Sequence, residues 1–439
     1  MDEHRPRELE TRKKLKILYV GRMATPLRDI LSGKTAEDAR HLPGFFQPWY
    51  RLAKRGHQVD FVVTSNDNVE ADVKVDWFSE NNLKANIYDP ALEASWHKRI
   101  FRRLSRLGRL AYHTNRAIRR ERYDFIVCWA FYEGLVGNIF AKVYGIPCGM
   151  RAMGTMLYPE LQRQGAFKLA LRKPAEYLSF RLPKSYFLMT DDGTRGDAVY
   201  QAWRPRKERY KYLFWKTGVE VKPIDKVRSR REVPTHPYLF FAARFDPWKR
   251  HDKVVRMLKN LHEKGYAIHL YFCGSVQSEK YLSEVKALIA ELGLKEYVCF
   301  LGSIAQDDLR FYAYYAVANP FFYDFSNLGN VFFESFATGS VVIGLNDGSL
   351  DGYIENGKNG FLVDDFDEAV DITEKILNDE IDIRKLRENA FHTSQERVID
   401  RNERFDAEAN LIEAMALGRQ CDLGTYENGL HTFPVSISK

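Results

Sequence analysis

Ser326-Asn327-Leu328-Gly329-Asn330-Val331-Phe332-Phe333-Glu334 is the stretch from which the rest of the chain can be read. It follows a short strand candidate, Pro320 to Tyr323, and leads into a predicted helix. A glycine-bearing turn that opens a helix leaves backbone N–H groups unpaired and points the positive end of the helix dipole outward, as a phosphate or pyrophosphate requires. Glu334 falls one to two turns inside that helix, where a carboxylate can accept from the two hydroxyls of a ribose. Arg244 and Lys249 follow a different strand candidate, YLFFAA at 238–243, and bring two cations to the same phosphates. Together these parts predict a nucleotide-diphosphate site.

Working outward, strand and helix candidates alternate through both halves. Apolar runs at 16–21, 58–64, 123–129 and 146–151 read as buried strands, with helical stretches at 44–56 and 133–145 between them. The second half repeats the pattern with strands at 238–243, 267–273, 297–302, 320–323 and 340–344 and a helix capped by Ser278. Such alternation predicts an α/β protein with parallel sheets covered by helices on both faces. Residues 204–236 are charged, proline-bearing and poorly periodic, so the domains are drawn as 1–203 and 237–393 with a linker between. A last helix spans 394–417, and the tail 418–439 has no clear period. Ligands of open parallel sheets bind beyond the carboxyl ends of the strands. Arg244, Gly274, Gly302 and the turns at 324–331 and 347–352 all fall at such ends, so one surface collects them.

The chain of 439 residues is 45% hydrophobic and 14% aromatic, enough for two cores. No run of eighteen apolar residues occurs, and the start MDEHRPRELETRKK is too charged for a signal peptide, so a cytoplasmic protein is expected. Five cysteines (Cys128, Cys148, Cys273, Cys299, Cys421) lack metal-ligand spacing and read as reduced core residues. SGKT at 32–35 mimics the end of a P-loop, but Arg28 stands where the first glycine is needed, and no strand immediately precedes it.

The segment from Tyr238 to Asp364 resembles the donor-binding domain of glycosyltransferase family 4, retaining enzymes of the GT-B fold. Three features carry the resemblance: R-x4-K as Arg244 to Lys249, an E-x7-E element present as Ser326 to Glu334, and DGSLDGYIENGKNGFLV at 347–363. It implies two Rossmann-like domains facing across a cleft, the first for the acceptor and the second for a nucleotide-sugar donor, with the last helix crossing back to the first domain. Arg244, Lys249 and Glu334 are then the catalytic set, stabilising the leaving pyrophosphate and holding the ribose without metal or cofactor. Asn327, Leu328, Gly329, Asn330 and Val331 lie at the donor; Gly274 and Gly302 are strand-end turns that make room for it, and Gly44 lies close to the sugar phosphate on a loop over the cleft. Ser326 replaces the first glutamate, and Asp324 is the carboxylate to substitute for it. The family's HG in the first domain is absent; Arg151 and Gly154 are the acceptor or phosphate contacts there. His57 resembles a structural GH-x-V element. Thr217-Gly218-Val219-Glu220 takes the place of an nGvD turn.

Between Lys98 and Arg122 ten Lys or Arg face one acid, with apolar residues at helical spacing. Such a helix can lie on an anionic membrane, which suits a lipid-linked acceptor and a peripheral location on the inner face of the cell membrane, whereas a saccharide acceptor needs no membrane. The net charge of +7 agrees with that and equally with non-specific polyanion binding; specific nucleic-acid recognition is not expected. Two other classes share these features: a GT-B epimerase or sugar phosphorylase, which converts donor without acceptor or requires free phosphate, and a non-catalytic membrane- or polyanion-binding protein.

Overall fold

The computed structural model describes residues 13–22, 46–64, 83–88, 96–207, 210–419, 425–427 and 430–432. Gly44, Cys421 and the SGKT motif lie outside them.

The first domain is one parallel sheet: β1 (Lys16–Arg22), β2 (Gln58–Thr64), β3 (Leu83–Tyr88), β4 (Phe125–Trp129), β5 (Cys148–Ala152), β6 (Tyr186–Asp191) and β7 (Lys211–Lys216), in the order β3-β2-β1-β4-β5-β6-β7. Order reverses between β1 and β4, the topological switch of a doubly wound sheet. The strands are almost wholly apolar because both faces are covered. On one face, α2 (Trp96–Arg120), α3 (Phe131–Tyr144), α4 (Tyr158–Arg172), α5 (Pro174–Arg181) and α6 (Gly196–Trp203) bury Leu110, Ala141, Leu169, Phe180 and Trp203. The opposite face is covered by α1 (Gln47–Lys54) and by a helix from the far end of the chain.

The second domain holds β8 (Tyr238–Ala242), β9 (His269–Cys273) and β10 (Val298–Gly302) in one parallel sheet and β11 (Asn319–Phe321), β12 (Val342–Leu345) and β13 (Phe361–Val363) in another. A parallel bridge from Leu239 to Ala318 joins β8 to β11, making a continuous surface ordered β10-β9-β8-β11-β12-β13. Its helices are α7 (His251–Glu263), α8 (Glu279–Glu291), α9 (Gln306–Tyr315), α10 (Asn330–Phe336), α11 (Phe366–Leu377) and α12 (Ile383–Arg397). Ser278 caps α8 by accepting from the Tyr281 N–H.

The last helix, α13 (Arg401–Ala416), leaves the second domain and lays Ala409, Leu411 and Ile412 into the core of the first. Its seat is polar as well as apolar. Glu408 accepts from Arg151 Nε at 3.0 Å and from Arg404 at 2.9 Å, all three side chains being buried. His57, also buried, accepts the Leu15 N–H at Nδ1 and faces Glu413 at 3.7 Å.

Two boundaries differ from the sequence reading. Residues 211–216 fall in the charged, proline-bearing stretch read as linker, yet Lys211–Lys216 is the edge strand of the first sheet. The helix expected over 394–417 is interrupted at Val398 to Asp400, where Asp400 caps α13 by accepting from Asn402 and Glu403 N–H groups.

Candidate functional site

β8 delivers the two predicted cations. Beyond Ala242 the chain turns, leaving Arg244 exposed, and Pro247–Lys249 form one turn of 3-10 helix. The turn is possible because Gly274, at the end of β9, lies against it: a Cβ there would sit 2.0 Å from the Ala243 carbonyl oxygen, at a φ of +148°. Gly302 donates no side chain either, and its carbonyl accepts the Gly274 N–H. Both glycines therefore shape the strand ends next to Arg244.

Lys249 projects over two rings, 3.9 Å from the Trp248 centroid and 3.5 Å from that of Tyr323. Burial pulls its ammonium down to about 7, and Arg244 adds repulsion; Asp246 and Asp192 oppose the shift. Among the described residues no carboxylate or hydrogen-bond acceptor pairs with its Nζ within contact distance. The aromatic walls hold the cation by its charge alone.

The 324–331 turn is more firmly tied than its sequence implies. Asp324, expected to replace the missing glutamate, is bound by Arg250 at 2.9 Å and approached by Lys253 at 3.8 Å. Ser326 is engaged within the protein: its hydroxyl donates to the Asp192 carbonyl of the first domain at 2.6 Å and accepts the Leu328 N–H. Gly193 permits that interdomain contact, since a Cβ there would meet Ser326 Oγ at 2.0 Å. Asn327 is fully buried, accepting from the Tyr323 N–H and donating to Asp347, so it holds the turn together rather than facing a ligand. Gly329 begins α10 with no side-chain cap, and the space that a Cβ would occupy is open; Asn330 and Val331 follow at the surface of the helix start.

Glu334 lies one turn on, accepting from Gln306 Nε2 at 2.6 Å. Burial raises its carboxyl above the ordinary range, while Arg310, Gln306 and Arg401 act in the other direction. Arg310 is itself anchored by Thr338 and the Glu220 carbonyl, so Glu334 has a fixed cationic neighbour.

Two first-domain expectations are corrected. Arg151 is no acceptor contact: its guanidinium is buried over Trp129, donates to the Ala152 carbonyl and pairs with Glu408. Gly154 instead makes room for the Asp192 carboxylate, which a Cβ would approach to 1.9 Å. An interdomain cavity of about 580 Å³ is lined from one side by Thr155, Asp191, Thr194 and Lys216, and from the other by Asp324, Leu328, Ser349 and Tyr353. Asp191 and Lys216 were missed. The alternating run of aromatic residues before Lys216 was the signal that a strand delivers it to the same end of the sheet as Asp191. Arg244, Lys249 and Glu334 do not line this cavity.

Two parallel-sheet domains with cations at the carboxyl end of β8 are the arrangement of GT-B glycosyltransferases. Residues 224–393, which include the second domain, match the family model described as glycosyl transferases group 1. The GDP-mannose-dependent alpha-(1-6)-phosphatidylinositol monomannoside mannosyltransferase of Mycobacterium tuberculosis is 27% identical over 165 residues, which are 35% of this chain and 42% of that protein. The chain thus spans less than half the length of the curated relatives it matches. Among solved structures, the sucrose-phosphate synthase of Thermosynechococcus elongatus superposes with a TM-score of 0.69 at 16% identity, over 92% of this chain and 100% of that one. Anabaena Alr3699/HepE, in complex with UDP and glucose, gives 0.62 at 17% identity over 91% and 100%. These likenesses establish the fold.

Proposed function

We propose that the chain is a retaining glycosyltransferase, transferring a sugar from a nucleotide-diphosphate sugar to a saccharide or lipid-linked acceptor in cell-surface polysaccharide or glycolipid synthesis. The observation that carries the reading is Lys249, a desolvated amine over Trp248 and Tyr323 with no hydrogen bond or ion pair among the described residues, set beside Arg244. An anion that enters there restores its charge and is held by it. In the reaction, the bond between the anomeric carbon and the leaving phosphate oxygen breaks, the acceptor oxygen bonds to that carbon, and the acceptor proton passes to the leaving diphosphate. Negative charge grows on the leaving group, so two fixed cations stabilise the transition state more than the ground state. Glu334, fixed by Gln306, suits the ribose hydroxyls. Neither step calls for a metal. The named relatives agree with a nucleotide-sugar donor: one is GDP-mannose-dependent, and another holds UDP and glucose.

Incubating the protein with UDP-, GDP- and ADP-sugars and measuring nucleoside diphosphate release tests this. One donor is expected to be hydrolysed slowly, and Arg244→Ala and Glu334→Ala each to abolish release. Silence across the panel, with no thermal shift on adding donor, would remove the donor-site reading.

The lipid-linked form of the acceptor is supported by the outer face of the helical layer formed by α2 to α5. Tyr112, Val143, Phe167 and Leu171 are 60, 70, 77 and 68% exposed, beside a helix rich in arginine. Among the described residues no helix is long and apolar enough to cross a membrane, so contact through this layer would be peripheral. Apolar side chains entering the interface and cations near anionic headgroups add to binding, at about 1 kcal/mol per cation. Cosedimentation with phosphatidylglycerol-containing vesicles should be strong at low salt, weak in neutral vesicles, and reduced at least about tenfold by the double substitution Phe167→Asp, Leu171→Asp. Failure to sediment with either kind of vesicle would speak for a saccharide acceptor in solution.

A further inference from the structure

The interdomain cavity contains a charged pair that the donor chemistry leaves unused. Lys216 and Asp191 end adjacent parallel strands and are opposite one another in register. Lys216 is only 8% exposed. Its backbone is pinned by Arg404, which donates to the Lys216 carbonyl at 3.0 Å, and its ammonium stands 4.5 Å from the Tyr353 centroid, across from the second domain. Among the described residues no hydrogen bond or ion pair reaches Lys216 Nζ. Asp191 accepts only a 3.3 Å bond from the Gly193 N–H. Burial lowers the lysine and raises the aspartate from their ordinary values, each moderated by the other, so both are desolvated at the mouth of the same cavity.

The lining selects the ligand by charge. Asp191, Asp197, Asp324 and Asp347 face it against Arg195 and Lys216, with Arg250 behind Asp324, so the lining offers a phosphate or carboxylate no excess of cations. Three of those acids are already engaged: Asp324 by Arg250, Asp347 by Asn327 and the Ser349 N–H, and Asp197 by Arg195 at 3.6 Å. Asp191 and Lys216 remain, an acceptor and a donor side by side, with Tyr158 and Phe325 supplying apolar wall. A cavity of about 580 Å³ is in the range that encloses a small ligand. Each hydroxyl of a pyranose ring can both donate and accept, so two neighbouring hydroxyls can meet a carboxylate and an ammonium together.

We propose that Asp191 and Lys216 read two neighbouring hydroxyls of an uncharged sugar residue, making this cavity the acceptor subsite and these two side chains its specificity determinants. The inference rests on the sugar-transfer reading above. Asp191 accepts from one hydroxyl and Lys216 donates to the next.

The test uses the full chain, wild type and the variants Lys216→Met and Asp191→Asn, titrated by saturation-transfer NMR with methyl α-mannoside, methyl α-glucoside, glucuronic acid and glucose 6-phosphate. UDP and GDP are titrated in parallel. The expected result is binding of at least one neutral glycoside, weakened about tenfold or more in each variant, with poor binding of both anionic sugars and unchanged diphosphate affinity. Neutral-glycoside affinity that ignores both substitutions, or preference for the anionic sugars, overturns the proposal. Diphosphate binding without any glycoside binding overturns the subsite alone, whereas loss of both in the wild type overturns the transfer reading beneath it. Should Lys216→Met lose diphosphate binding through misfolding, the near-isosteric Asp191→Asn decides.

Discussion

Replacing Lys249 by methionine should abolish donor turnover, by a factor of about a hundred to a thousand, and at the same time raise the melting temperature at neutral pH. Both effects have one origin. The ammonium is held against Trp248 and Tyr323, where burial brings its pKa down to about 7 from the ordinary 10.5. Below about 7 the folded and unfolded chains both carry the proton, and the folded state bears the full cost of the buried charge. Between about 7 and the ordinary lysine value the unfolded chain binds more protons than the folded one, so stability rises with pH across that window. The methionine variant lacks this dependence; its advantage should be largest at or below pH 7 and vanish toward 10.5. Calorimetric melts of both proteins from pH 6 to 10 check it, and an unaltered difference across that range would sink the argument.

The same group makes donor binding a proton-uptake event. A nucleotide sugar carries a diphosphate diester with no group titrating near neutrality, so the pH dependence belongs to the protein. Bound diphosphate raises the lysine pKa, and affinity should fall about tenfold per pH unit above 7 until the bound-state value is reached.

The second large effect lies far from the donor. Glu408→Ala should cost about 3 to 5 kcal/mol, because it strands the guanidiniums of Arg151 and Arg404 in the core of the first domain. Burial already pulls Arg404 down to about 10, with Glu408 working against the shift. Urea titration of the variant measures the loss; a change below about 1 kcal/mol would mean that water or another group replaces the carboxylate.

These two sites differ in how far the sequence reveals them. The cations at 244 and 249 are legible because a continuous apolar run, YLFFA, fixes the strand end from which they project. Arg151 also lies in a readable strand, yet its partner lies 257 positions away, and no local pattern distinguishes a buried ion pair from a cleft residue. Ser326 shows the same limit, since its hydroxyl is used by a carbonyl of the other domain. Lys216 is hidden for a different reason. Charged ends made a half-exposed edge strand look like linker, and edge strands carry less apolar sequence than central ones because one side faces water. What the sequence reading recovers best is therefore what a single element determines; what escapes it depends on two elements meeting.

The seating of α13 bears on how the protein comes into being. Strands β1 to β7 leave the ribosome as a finished sheet by Lys216, but the helix that closes one of its faces ends at Ala416. At ordinary translation speed that is a delay of roughly 10 to 40 s, during which α1 alone covers the face that carries Phe61 and Phe125. The first half to be made is thus the last to be completed. A nascent chain halted anywhere in the second domain would present chaperones with a sheet still bare where α13 is to lie, however well the residues already synthesised had folded.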